Sequence, residues 1–136
     1  MISPQVAANV AVFLFSLMAA IQVLVALAIL PCTILWGGSQ QVLTPSLRLA
    51  SVMACLLLLG MAKVVRLRIE TDADWVRRTC WGISAYMVLN TAGNLTSPNP
   101  VERYAFGALT AVLAVTCGIV ASRREDEDTM AYEPVA

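Results

Sequence analysis

Histidine is absent from the sequence. That absence removes the commonest metal ligand and the usual general base near neutral pH, and with them most familiar hydrolytic mechanisms. Charge is scarce as well: 13% of the residues are Asp, Glu, Lys or Arg, where an ordinary soluble domain carries roughly a quarter. The nine basic and nine acidic residues cancel. No Lys/Arg cluster is interleaved with aromatic residues as a nucleic-acid surface requires, so no nucleic-acid partner is expected. The four cysteines, Cys32, Cys55, Cys80 and Cys117, never approach a C-x-x-C spacing, which excludes the common redox and zinc patterns and leaves buried thiols as the expectation. Only Cys32 lies near the expected outer surface, with no histidine to activate it and no second thiol beside it. Neither an enzyme nor a cofactor is therefore expected.

What the chain has in quantity is apolar sequence, 59% of all residues. The charges leave four blocks free, with none before Arg48, none over 49–62, none over 79–101 and none over 104–122. About 20 helical residues cross a bilayer, so the pattern predicts an all-α, membrane-embedded antiparallel four-helix bundle over residues 1–122. Its helices are expected at about 4–30, 45–65, 75–95 and 100–121, followed by a charged, disordered cytoplasmic tail over 123–136. The first segment opens on Ser3-Pro4 and lacks the basic n-region of a signal peptide, so it reads as a retained helix. The second opens on Thr44-Pro45, again a capping residue before a proline. The third is the most polar, with Ser84, Asn90, Thr91 and Asn94, and is expected to hide inside the bundle; Asp72 or Asp74 is placed to cap it. The fourth opens on Asn99-Pro100-Val101-Glu102, which has the form of a capping box. No internal repeat is visible.

Basic residues near the helix ends set the orientation. Lys63, Arg66, Arg68, Arg77, Arg78, Arg123 and Arg124 fall on one side, Arg48 and Arg103 on the other. Seven against two places both termini in the cytoplasm of a cell-membrane protein. The loops around Trp36 and Ser97 then share the outer face, where Trp36, Gln40, Arg48, Asn94, Glu102 and Arg103 form a candidate polar group. Each also has a structural explanation: Trp36 as an interfacial anchor, Glu102 as a cap, and Arg48 as its ion-pair partner. On the fourth segment, Gly107, Ala111, Ala114 and Gly118 repeat at spacings of four, three and four. Such a stripe of small residues draws a close-packing face down one helix. No Asp or Glu is expected inside a span, and Gln22, Ser84 and Asn90 read as interhelical hydrogen-bonding groups rather than as a transport path.

Two stretches carry a resemblance. The run Trp36-Gly37-Gly38-Ser39-Gln40-Gln41-Val42-Leu43-Thr44-Pro45-Ser46-Leu47-Arg48-Leu49-Ala50-Ser51 resembles the first external loop of an uncharacterised family of small, mostly bacterial, four-helix integral membrane proteins. The run Asn94-Leu95-Thr96-Ser97-Pro98-Asn99-Pro100-Val101-Glu102-Arg103 looks like that family's turn before its last helix. The resemblance implies architecture and transfers no activity, ligand or cofactor. The function expected from all of this is that of a structural or accessory membrane protein, whose partners are the lipid bilayer and a second copy or another membrane protein. The alternative is a small-ligand binder or minor transport component that uses the outer polar group.

Overall fold

The computed structural model describes residues 2–35 and 42–123. Four long helices follow one another: α1 (Pro4–Ala26), α2 (Pro45–Glu70), α3 (Asp74–Thr96) and α4 (Gly107–Ala121). A short 3-10 turn, Cys32–Ile34, lies between α1 and α2, and a wide π-helical turn, Val101–Phe106, runs straight into α4. No strand occurs among the described residues. Tight joints connect α2 to α3 and α3 to α4, and short joints make antiparallel neighbours. The helices pack as two hairpins, α1 with α2 and α3 with α4, joined chiefly through α1 and α4; the α2–α3 side is looser.

The expected starts of α1 and α2 are present with their caps. Ser3 Oγ accepts from Val6 N, and Thr44 Oγ1 accepts from Leu47 N, each at 3.3 Å. Two boundaries and one cap differ from expectation. The first helix stops at Ala26 rather than near Leu30, because Pro31 cannot extend a helix and disfavours helical geometry at Leu30. The chain breaks at Ala28 (φ 59°), a left-handed position just past the helix end that a glycine usually occupies. The second helix continues past Val65 to Glu70, because its last turns are held by polar side chains: Arg66 pairs with Glu70, and Arg68 with Asp72. The third helix has no side-chain cap, since Asp72 turns to Arg68 and Asp74 pairs with Arg77 instead.

Length and hydropathy allow α1, α2 and the segment Val101–Ala121 to cross a membrane, with mean hydropathies of 2.2, 1.9 and 2.0. At 1.5 Å per residue the 23-residue α3 is also about 35 Å long, but its composition is too polar to qualify alone. The helix is not hidden inside the bundle as expected, since most of its residues are exposed, but three of its polar side chains bond to α4. Ser84 Oγ donates to Ala114 O at 2.7 Å, the Thr91 hydroxyl lies 3.0 Å from that of Thr110, and Asn94 Nδ2 donates to Thr110 Oγ1 at 3.3 Å.

The buried core divides in two. A large cluster fills one end and the middle, with Ala7, Ala11 and Phe15 of α1 meeting Val65, Cys80, Leu113 and Cys117. Alanines on α1 let the neighbouring helices come close. A small cluster of Val25, Cys32, Leu35 and Phe106 closes the other end. All four cysteines are free thiols.

Candidate functional site

The turn into α4 decides which of the outer polar residues reach the interior. Asn99 Oδ1 accepts from Val101 N at 3.0 Å, which starts the helix. The carboxylate of Glu102 does not return to the Asn99 N–H as a capping box would. Ser97 Oγ takes that N–H at 3.1 Å and donates onward to Glu102 Oε2 at 2.5 Å. The π-helical turn, closed by Gly107 N–H on Glu102 O, fits one more residue per turn than an α-helix would. Glu102 is thereby left 8% exposed, with its side chain among the helices. The cap expected at this helix start is instead a buried acidic group. Asn99 Nδ2 also donates to Thr33 O at 2.9 Å, which ties the α3–α4 turn to the segment after α1.

Between the two halves of the core lies a cavity of about 280 Å³. Gln22 of α1, Asn90 and Asn94 of α3, Glu102 and Thr110 supply its polar wall. Its apolar wall includes Met18, Leu58, Met61, Met87 and Phe106. Leu57 of α2 and Tyr86 of α3, both exposed, also line it. Gln22 Oε1 is buried and has no hydrogen-bond partner among the described residues. An orphaned acceptor of that kind costs about 1–3 kcal/mol.

The six residues of the candidate outer group therefore separate. Asn94 and Glu102 line the cavity. Arg103 stays exposed, its Nε donating to Leu95 O at 3.1 Å. Arg48 is exposed on the first turn of α2, beside Leu43, Leu49 and Val52. The described residues contain no ion pair between Arg48 and Glu102, because Glu102 points inward and Arg48 outward. Trp36 and Gln40, like the tail from residue 124, lie outside the described residues.

The small-residue stripe meets α3 of the same chain. A methyl group on Gly107 would come within 3.2 Å of Leu95 Cδ2, and one on Gly118 within 3.4 Å of Ser84 Oγ. Ala114 is buried where Ser84 donates to its carbonyl, while Ala111 is half-buried.

A polar cluster at the opposite end went unread in the sequence. Arg68, 3% exposed, donates to Asp72 Oδ1 at 2.5 Å, to Thr71 O at 3.2 Å and to Arg123 O at 2.8 Å. Arg123 answers with bonds to Arg68 O at 3.2 Å and Ile69 O at 3.0 Å, and lies 3.7 Å from Asp72. The end of α2 and the end of α4 are thus clamped together. The i,i+4 spacing of Arg68 and Asp72 was the available signal. No group of His, Cys, Asp and Glu suited to a metal ion occurs among the described residues. Comparison with family models, curated proteins and solved structures finds no match to the chain.

Proposed function

We propose that the chain is a four-span membrane protein of the cell membrane, with both termini in the cytoplasm, that acts as an accessory or interaction protein rather than as an enzyme. The observation that carries this reading is the apolar surface. Only 22% of the most apolar window of α2 is buried within the bundle, and 28% of that of α1. Leu49, Met53, Leu56 and Leu57 of α2 are each more than half exposed. A contiguous face of this kind is too large for water and suits lipid tails or another membrane helix. The lack of a match to any known family leaves the resemblance of the two loop motifs as a supporting proposal only. The cavity with its buried carboxylate favours the second reading, a binder of small molecules.

Topology is tested with single cysteines in a background where the four native ones are alanine. Thr96→Cys, between α3 and α4, should react in intact cells with a membrane-impermeant thiol reagent, and Asp74→Cys only after lysis. Labelling of Asp74→Cys in intact cells would overturn the orientation, and labelling of both would overturn the four-span reading.

A further inference from the structure

We infer that the cavity between α1, α2 and α3 binds a small neutral ligand through a carboxamide head. The inference rests on the second reading above and adds the ligand's chemistry. Three side-chain amides line the cavity: Gln22, Asn90 and Asn94. Each carries two N–H donors and an acceptor oxygen. Asn90 spends one N–H on Tyr86 O at 3.0 Å, and Asn94 spends one on Thr110 Oγ1 at 3.3 Å. Each keeps a second N–H and an oxygen that no described residue takes. Gln22 spends nothing: its Oε1 is buried without a partner, and its Nε2 has no bond among the described residues. The wall therefore offers donors and acceptors together.

That balance selects the ligand's head. An ion of either sign would use only one half of it, and no Lys or Arg among the described residues lines the cavity to hold an anion. The carboxylate on the wall, Glu102, already takes the Ser97 hydroxyl and has a further interaction, and it is no part of the recognition. A carboxamide is complementary to another carboxamide, because the N–H and C=O of one meet the C=O and N–H of the other in a planar pair of hydrogen bonds. Set against Gln22, such a head satisfies an oxygen that bulk water does not reach within a span. Its second N–H and remaining lone pair are left for Asn90 or Asn94. The rest of the cavity selects the body: Met18, Met61 and Met87 offer an apolar, adaptable wall. At about 280 Å³ the volume lies just below the roughly 300–1,000 Å³ of small-molecule sites, so the ligand is small.

The full-length protein in detergent micelles is titrated with hydrocinnamamide, and heat is measured calorimetrically above that of protein-free micelles. Methyl hydrocinnamate keeps the apolar body and the carbonyl but has no N–H, while hydrocinnamate and phenylpropylammonium carry the two charges. Saturable one-to-one binding of the amide is expected, with the ester and both ions at least about tenfold weaker. Gln22→Leu removes the orphaned amide; it should keep or raise the unfolding temperature yet weaken hydrocinnamamide about tenfold, a divergence that a purely structural role would not produce. Gln22→Met, closer in shape, should do the same should the leucine variant fail to fold. Unchanged affinity in a folded Gln22 variant would refute the site. An ester that binds as tightly as the amide, or an ion that binds more tightly, would overturn the carboxamide head and leave a small-molecule binder standing. No saturable binding of any of these probes by a wild-type sample that unfolds cooperatively would overturn both, with water alone meeting the amides.

Discussion

Replacing Arg68 should unfasten the end of the bundle where α2 meets α4. The side chain is 3% exposed, and it links Asp72, Thr71 O and Arg123 O. Removing one partner of a fully buried pair costs about 3–5 kcal/mol. Asp72 is 34% exposed, so water recovers part of that loss when its partner is gone. For Arg68→Ala a cost of about 3 kcal/mol is expected, or roughly 10 °C in a thermal unfolding midpoint. Arg68→Lys keeps the charge, but a single ammonium cannot match the fork that reaches Asp72 and Arg123 O together, so about 2 kcal/mol should still be lost. Asp72→Asn should cost about 1 kcal/mol. In a double-mutant cycle with Arg68→Ala the two effects should fall short of additive by at least about 0.5 kcal/mol. The assay is thermal unfolding in micelles followed by circular dichroism. A cost below about 1 kcal/mol for Arg68→Ala, or strict additivity with Asp72→Asn, would refute the clamp.

Arg48→Ala and Glu102→Ala should be additive in stability within about 0.5 kcal/mol, since the two side chains face opposite ways; strong coupling in the same unfolding assay would restore the ion pair. Gly107→Leu should cost about 2 kcal/mol or more by overpacking against Leu95, only 3.2 Å from a methyl group at that position. Ala111→Leu, at a half-buried position, should leave stability nearly unchanged; size-exclusion of the variant then reads self-association separately, and a smaller particle would mark an intermolecular use of that position. Ala28→Gly should raise stability by about 0.5–1 kcal/mol, because φ 59° disfavours any residue with a Cβ; an unchanged or lower midpoint would count against strain at that turn.

The helices were legible because each carries a simple signal. Pro4 and Pro45 follow capping residues, and long, largely apolar runs follow the prolines. The polarity of Ser84, Thr91 and Asn94 marked side chains that bond to α4, but it misled about the helix as a whole, most of which is exposed. The ends were harder to read. The i,i+4 spacing of Arg66 with Glu70 and of Arg68 with Asp72 was the one local sign that α2 continues, and the contacts of Arg68 with Arg123, just past α4, leave no mark in the sequence. The candidate site was legible residue by residue and not as an arrangement. Gln22, Asn90, Asn94 and Glu102 were each noticed, but their meeting depends on the π-helical turn at Val101–Phe106. One residue more per turn swings Glu102 from a surface cap to an interior wall, and that change leaves no periodicity to detect in six residues.

The polarity of α3 bears on how the chain is made. In the four-span reading, α3 emerges from the ribosome before the helix that Ser84 and Asn94 bond to exists. On its own it is a poor guest for lipid, since each unsatisfied polar group there costs free energy. It therefore has to wait at the membrane surface, or inside the insertion machinery, until residues 101–121 follow, and the two enter as a pair. A chain halted after residue 98 should leave its third helix outside the bilayer, open to protease, while the full-length chain protects it; protection of the halted chain would show that α3 inserts unaided.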